Sequence, residues 1–565
     1  MAESQDFDVI VVGSGATGGW AAKEMCEAGF KVLVLERGKP TTHRESYENE
    51  FVDPWDRPFA GQSKSGELEK LYGPASYMMG FRNKTFMAKF EDAPYDVNTK
   101  NPFMWIRPGA VGGKSLIWGR QVYRWSDLDF EANKRDGHGI DWPIRYKDIE
   151  PWYSYVEKYI GVQGSYENLP QLPDSEFMPA MELNHAEKFV KKRIERNFEG
   201  RNLIIGRSAN ITEAMPDQDR TNCQYRNQCV GGCSFGGYYS SVGVTLPAAE
   251  KTGNMTLRPH AVVASLEYDA DNKRVTGVRV FDANTKKEEI ISARVVFLCA
   301  STVASTQVLM NSISEATPKG LGGASGALGH YLMDHTWGTR IQGTVKESFG
   351  KIQRGRRPTG SYIPRFRNIS AQDDDGLDFI RGYNFQVDST TEGWAGRASN
   401  TPGFGADFKN GVNTPGDWTF TLYGFAECLP YHENKVELSN KKDQFGLSMI
   451  KFDIEFKDNE FKMARDMIRE GEKMLNSAGL ENVKSKLGEM RPGLGIHEMG
   501  TARMGNDPKE SVLNKWNQVH EAPNVFVTDG ACMTSISCVN PTLTFMAITA
   551  RAANYAIEQL KSGKL

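Results

Sequence analysis

Two short runs near the end of the chain carry side chains that could move a proton: His497-Glu498-Met499-Gly500-Thr501 and Asn540-Pro541-Thr542-Leu543-Thr544. A neutral imidazole accepts a proton near pH 7, and an amide beside it can hold a substrate oxygen in place. A lone histidine is more often a satisfied structural residue, so His497 needs a setting before it counts as a base. Asn540 also has a purely structural reading. Followed by Pro541, it has the pattern of a helix N-cap with proline in the first turn, opening a helix through Ile557. A helix start there would aim positive dipole at whatever negative charge develops beside it.

A second cluster is Cys223-x5-Cys229-x3-Cys233, three of the eight cysteines within eleven residues, among Gly231, Gly232, Gly236 and Gly237. Three thiolates on a glycine-rich loop suit an iron–sulfur cluster, and three ligands favour a 3Fe–4S form. Zinc wants four ligands, and no fourth stands nearby. A disulfide plus one free thiol fits the same spacing. Cys26, Cys299, Cys428, Cys532 and Cys538 are scattered and read as core residues or neighbours of the site.

The frame for this chemistry begins at the other end. Asp8-Val9-Ile10-Val11-Val12 predicts a buried parallel strand that runs straight into Gly13-Ser14-Gly15-Ala16-Thr17-Gly18. In such a G-x-G-x-x-G turn Gly13 permits the bend, Gly15 lets backbone approach a pyrophosphate, and Gly18 lets the following helix pack on the strand. Lys31-Val32-Leu33-Val34-Leu35 predicts a second strand, and Glu36 ends it 21 residues after Gly15, where a carboxylate accepts bonds from ribose hydroxyls. NAD and FAD share this fingerprint, so it specifies a dinucleotide without choosing one.

Further motifs choose. They are Glu36-Arg37-Gly38, the stretch from Arg107 through Gly112-Gly113-Lys114-Ser115-Leu116-Ile117-Trp118-Gly119, Asp141-Trp142-Pro143-Ile144, Cys299-Ala300-Ser301-Thr302, residues 497–505, Val527-Thr528-Asp529-Gly530, and Asn540-Pro541-Thr542. In this order they resemble the glucose–methanol–choline (GMC) family of FAD-dependent oxidoreductases over nearly the whole chain. The resemblance implies an α/β fold (α+β overall): a Rossmann-like FAD-binding domain with a discontinuous second domain built on an antiparallel substrate-binding sheet. The FAD-binding domain is expected over 1–337, with its Rossmann element at 6–38 and the cysteine loop at 221–237. The substrate-binding domain is expected over 338–480, and 481–565 returns to the flavin.

The same resemblance implies residue roles. FAD contacts fall at Gly13, Gly15, Gly18, Glu36, Arg37, Gly112, Ser115, Trp118, Val263, Asp529 and Thr542, with the backbone of Val263 meeting adenine. His497 is the catalytic base, and Asn540 occupies a second position that is His in some members. Some members bond FAD to a histidine where this chain has Ile117, so FAD is expected to be non-covalent. Trp394 and Trp418 are candidate apolar faces for a sugar ring. Residues 47–101 read as a polar, Gly- and aromatic-rich loop, and Phe456 to Gly479 as a helix.

Within the family the chain looks most like the catalytic large subunits of bacterial glucoside 3-dehydrogenases. Dehydrogenase subunits that pass electrons to a multihaem cytochrome c carry a similar cysteine loop, here Cys223, Cys229 and Cys233. The resemblance therefore implies oxidation of a sugar secondary alcohol, C3 of glucosides, with electrons leaving FAD through an iron–sulfur cluster to a cytochrome c partner. A small subunit bearing a twin-arginine leader would carry the folded chain to the periplasm. Without a cluster, the same residues would serve a pyranose or C-glycoside oxidase using O₂, and other relatives act on gluconate, sorbitol or glucose.

Composition agrees. At 565 residues the chain is long for one core, which predicts two domains. A net charge of −3 with mixed signs argues against a nucleic-acid partner. No apolar stretch approaches the roughly 18 residues a membrane span needs, and the polar residues 1–7 read as no signal peptide.

Overall fold

Residues 9–12 and Val32–Leu35 are apolar without alternation, and both runs are buried, as parallel strands covered on two faces must be. They pair in parallel, Val9 opposite Val32 and Val12 opposite Leu35. The computed structural model describes residues 7–63, 66–348, 350–352, 355–370 and 376–565. Phe7–Val12 lies at the centre of its sheet, between Val32–Leu35 and Glu288–Leu298, with Met255–Arg258 and Ala522–Val527 beyond them, all parallel. Ala261–Asp269 and Arg274–Asp282 form an antiparallel meander that ends on Glu288–Leu298. Its turns fall where Asp269 and Asp282 accept backbone N–H groups of the next residues, which is the Asx-turn chemistry these sequences specify.

Helix Ala16–Glu27 leaves the glycine turn and packs against two later helices, Thr245–Lys251 and the closing Thr542–Lys561. The closing helix starts two residues after Asn540 and runs to Lys561, past the expected end at Ile557. Pro541 occupies its N-cap position with no side-chain cap, so Asn540 does not cap it. The Asn540 amide is engaged elsewhere.

The second sheet is antiparallel, in the order Glu481–Leu487, Thr336–Val345, Trp418–Ala426, Tyr383–Thr391, Ser361–Ile363, Ile204–Ile205. Helix Asp458–Ser477 covers one face, burying Met463, Met467 and Met474 against Ile341, Phe420 and Leu422. Trp418 belongs to this core. It is 1% exposed, and its indole N–H donates to Lys351 O at 3.0 Å, so it presents no face to a sugar. The side chain of Trp394 lies outside what the structure describes.

A separate hairpin, Lys435–Lys442 with Ser448–Asp453, packs on Tyr95, Phe103 and Trp105. Its tip, residues 443–447, reaches Arg37 and Asp92 at the cavity. Residues 47–101 hold one short α-helix, Glu67–Tyr72, and several turns of 3-10 helix, and they form a wall of the cavity described next. Among the described residues, no helix is long and apolar enough to cross a membrane.

Candidate active site

A cavity of about 680 Å³ runs from the glycine turn to the two C-terminal motifs. At its first end lie Gly13, Gly15, Glu36, Arg37 and Val263. The three glycines divide the work as their spacing predicts. Gly13 has φ +98°, and a Cβ there would sit 2.5 Å from Cys299 O; a Cβ at Gly18 would sit 1.9 Å from Gly13 O. Gly15, by contrast, would meet nothing nearer than Gly112 O at 4.0 Å. Gly13 and Gly18 thus lock helix to strand, and Gly15 opens to the cavity. Glu36 points one carboxylate oxygen at the turn, accepting from Ser14 N at 3.1 Å and Ser14 Oγ at 2.6 Å, and the other at Gly38 N, 2.7 Å away. Arg37 donates to Asp92 O at 2.8 Å, which ties the 47–101 segment across this end.

Ser14 joins this turn to the next glycine loop. Its hydroxyl also accepts from Gly112 N at 2.9 Å, and its carbonyl accepts from Ser241 Oγ at 2.7 Å. Gly112 itself lies behind the cavity wall, where a Cβ would strike Val242 at 2.4 Å. Ser115 and Trp118 line the cavity, Ser115 donating to Gly112 O at 2.6 Å and Trp118 Nε1 to Tyr239 O at 3.0 Å.

The far end is built from His497, Glu498, Asp529, Gly530, Pro541, Thr542 and Phe545. His497 sits on a loop held by Asp334, a buried carboxylate that accepts the backbone N–H groups of Gly493, Gly495 and His497. Burial, then the neighbouring Glu498, pushes Asp334 up to about 7. His497 Nε2 lies 3.3 Å from Asn540 Nδ2, and His497 Nδ1 lies 2.9 Å from His335 Nδ1. Burial holds His497 well below the usual imidazole range, with His335 and Lys114 adding to the effect, so it is neutral at pH 7. Asp529 accepts from Ser305 Oγ and from Ala531 N at 3.0 Å, and burial raises it to about 6. Thr542 opens the closing helix, whose N-terminal turn faces the cavity with its positive dipole end.

The GMC oxidoreductase family models match residues 7–337 for the N-terminal part and 430–549 for the C-terminal part. The chain belongs to the GMC oxidoreductases. It is 28% identical to 2-methyl-1,2-propanediol dehydrogenase of Mycolicibacterium austroafricanum, over 97% of this chain and 94% of that protein. To the fructose dehydrogenase large subunit of Gluconobacter japonicus it is 25% identical, over 99% of each. A solved variant of Aspergillus oryzae formate oxidase superposes with a TM-score of 0.60 at 14% identity, covering 100% of both chains, and shares the fold. The members act on alcohol groups with FAD, and so does this GMC oxidoreductase.

The residues present fit that cofactor. The open Cβ position at Gly15, the Glu36 carboxylate and the helix N-terminus match a pyrophosphate and ribose, and the same cavity reaches His497. Among the described residues, no three His, Cys, Asp or Glu side chains converge to hold a metal. Cys223, Cys229 and Cys233 are free, half-buried thiols, and burial raises Cys223 to about 11 and Cys233 above the usual thiol range. The three thiols lie close enough to act on one another, Cys229 and Cys233 raising Cys223 and Cys229 raising Cys233.

This GMC oxidoreductase also has, at the cavity or beside it, residues to which the sequence assigned no role. Lys114 pairs with Glu498 on the cavity wall beside His497. Gln386 Nε2 donates to Asn540 Oδ1 at 3.0 Å, fixing which end of that amide faces His497. Arg107, stacked on Trp105 with its charged carbon 4.1 Å from the ring centre, lines the first end near Arg37. Arg107, Lys114 and Glu498 stand inside stretches the sequence singled out, whereas Gln386 has no local signal.

Proposed function

We propose that this chain is a dehydrogenase that oxidises a secondary alcohol of a sugar, C3 of a glucoside being the specific reading. The observation that carries the catalytic part is the pair His497 Nε2 and Asn540 Nδ2, 3.3 Å apart, with His497 on the wall of the cavity that begins at Gly13. FAD, bound non-covalently along that cavity, supplies the acceptor for the hydrogen on the alcohol carbon. His497 takes the hydroxyl proton at Nε2, and Asn540 donates to the same oxygen. Thr542 and the helix dipole behind it favour negative charge at that end, and Gly13, Gly15, Gly18, Glu36, Arg37, Gly112, Ser115, Trp118, Val263 and Asp529 hold or frame the cofactor. Trp337, stacked on Tyr423 with ring centres 5.6 Å apart, and Phe425, whose ring centre is 6.2 Å from that of His497, supply the apolar surface a sugar face needs. We assign substrate contact to the second sheet, including its edge strands Ile204–Ile205 and Glu481–Leu487, and the hairpin tip at 443–447 to the flavin part.

The sugar reading and the partner reading draw support from the fructose dehydrogenase large subunit, a relative named as one subunit of an assembly. By that likeness the chain works with a further subunit, for which the family resemblance supplies a small subunit, a cytochrome c acceptor and the periplasm. The test is anaerobic bleaching of the flavin by a panel of glucosides, with the keto position of the product read by NMR. His497→Ala should keep FAD and slow bleaching by about 10²–10⁴-fold; a near-normal rate refutes the assignment of the base. Rapid peroxide formation in air identifies an oxidase. About three irons per FAD, lost on Cys229→Ser, would support an iron–sulfur cluster on Cys223, Cys229 and Cys233, and iron-free protein with intact FAD would remove that reading.

A further inference from the structure

The active-site hydrogen bonds run in one direction. Tyr123 Oη donates to Gln121 Oε1 at 2.7 Å, Gln121 Nε2 to Gln386 Oε1 at 2.7 Å, and Gln386 Nε2 to Asn540 Oδ1 at 3.0 Å. Asn540 is thereby left with Nδ2 toward His497 Nε2. At the other end, His335 Nε2 lies 2.6 Å from Ser537 O, and a carbonyl can only accept, so the His335 proton is on Nε2. A neutral His335 then has its lone pair on Nδ1, which faces His497 Nδ1 at 2.9 Å with the rings nearly perpendicular. For that contact to be a hydrogen bond, His497 must carry its proton on Nδ1. Its lone pair is then on Nε2, on the side of Asn540.

We infer that His335 is the positioning residue that fixes the catalytic tautomer of His497, acting through the Nδ1–Nδ1 hydrogen bond and the anchor at Ser537 O. The inference rests on the reading of His497 as base and adds the group that makes it one. In the opposite tautomer Nε2 would carry a hydrogen and could not accept the substrate proton. In the tautomer the chain imposes, the alcohol O–H bond breaks, an N–H bond forms at Nε2, and the bonding electron pair stays on the oxygen. The resulting imidazolium still donates from Nδ1 to His335. His335 is buried, and burial pushes its pKa down to about 4, so it stays a neutral acceptor throughout. Ser537 lies in the loop that carries Asn540, and Asn384 Nδ2 pins the same loop at Cys538 O. One short segment therefore fixes both the amide and the tautomer.

The test compares three substitutions at 335 on the FAD-loaded protein, by stopped-flow flavin reduction without oxygen, beside His497→Ala. An Asn side chain places its amide oxygen where Nδ1 was and can accept from His497. A Gln side chain reaches the Nε2 position and leaves the Nδ1 position unserved. His335→Leu provides no acceptor at all. Reduction should fall by about 10²–10⁴-fold in His335→Leu and His335→Gln, and stay within about tenfold of wild type in His335→Asn. Should the Leu variant fail to retain FAD, the Asn and Gln pair, both polar, still decides. Equal rates in Asn and Gln, or Gln the faster, overturn the inference while a slow His497→Ala leaves the base in place. Normal rates in His497→Ala as well would remove the base reading itself.

Discussion

Replacing Gly15 and Gly18 in turn by alanine should separate two functions that the glycine motif joins. Gly15 has φ −69°, so alanine adds no backbone strain, and its Cβ meets nothing within the protein nearer than 4.0 Å. The free protein should therefore keep its stability, or gain a few tenths of a kcal/mol to ~1 kcal/mol from a stiffer unfolded chain. The added methyl projects into the cavity at the point where backbone must approach the pyrophosphate. Filling a fitted space with one carbon costs about 1–3 kcal/mol, which is about a 5- to 150-fold weaker affinity for FAD. At Gly18 the order reverses. The Cβ would lie 1.9 Å from Gly13 O and 2.8 Å from Gly13 C, both backbone atoms that cannot swing away. The helix must then lift off the strand, and the apoprotein should lose about 1–3 kcal/mol or more before any cofactor is added. Titrating FAD into apoprotein by flavin fluorescence, with urea unfolding of both apoproteins, measures the two effects. Wild-type FAD affinity in Gly15→Ala would show that no dinucleotide crosses the turn there, and the placement of the cofactor along the cavity would fall with it.

The remaining predictions concern charge. Flavin reduction should hold its rate from pH 9 down through 6.5, because His497 is held well below the ordinary imidazole value and its base form persists; an acid limb at or above 6.5 in the pH profile contradicts this. His335 titrates at about 4 in the folded chain against about 6.5 unfolded, so the unfolded state binds the extra proton between those values. Folding stability should fall by about 3 kcal/mol as pH drops from 6.5 through 4 on account of this group, and denaturant curves of His335→Asn should lack that part of the slope. Glu157 is fully buried, and Arg124 donates to both of its oxygens at 2.6–3.2 Å. Glu157→Ala strands that guanidinium and should cost about 3–5 kcal/mol; a loss under 1 kcal/mol in urea unfolding would mean water reaches Arg124. Glu36→Ala, which removes the carboxylate shared by Ser14 and Gly38, should weaken FAD binding by about 1.5–3 kcal/mol, the range for a hydrogen bond to a charged group, with titration as the check.

The parts of this site that a local pattern encodes were legible before the fold was known. The buried strands, the glycine turn, Glu36 and the acidic turns of the meander each depend on residues within a few positions of one another. His497 was legible because its neighbours repeat a family setting. Misreadings arose where a residue has two partners to choose from. Asn540 before Pro541 has every local mark of a cap, yet Gln386 and His497, 154 and 43 residues distant, take its amide instead. Trp418 looked like a sugar platform because a tryptophan is half polar, and the nearest acceptor for its N–H turned out to be Lys351 O inside a core. His335, Gln121 and Tyr123 carry no motif at all; only the pairing of sheets puts them in line. The cysteines show the converse, a spacing with a clear chemical meaning at which no group able to hold a metal ion is found among the described residues.

The order of strands has a consequence for how the molecule is made. Phe7–Val12 is the earliest strand among the described residues and lies in the middle of its sheet, but one neighbour, Glu288–Leu298, ends nearly 300 residues later, and Ala522–Val527 comes later still. The cavity draws its walls from Val12 through Phe545. At about 5–20 residues per second, translation separates those two residues by roughly half a minute to two minutes. Throughout that interval the glycine turn has no far wall. A dinucleotide that spans the cavity can therefore be gripped at both ends only once the closing helix has been made.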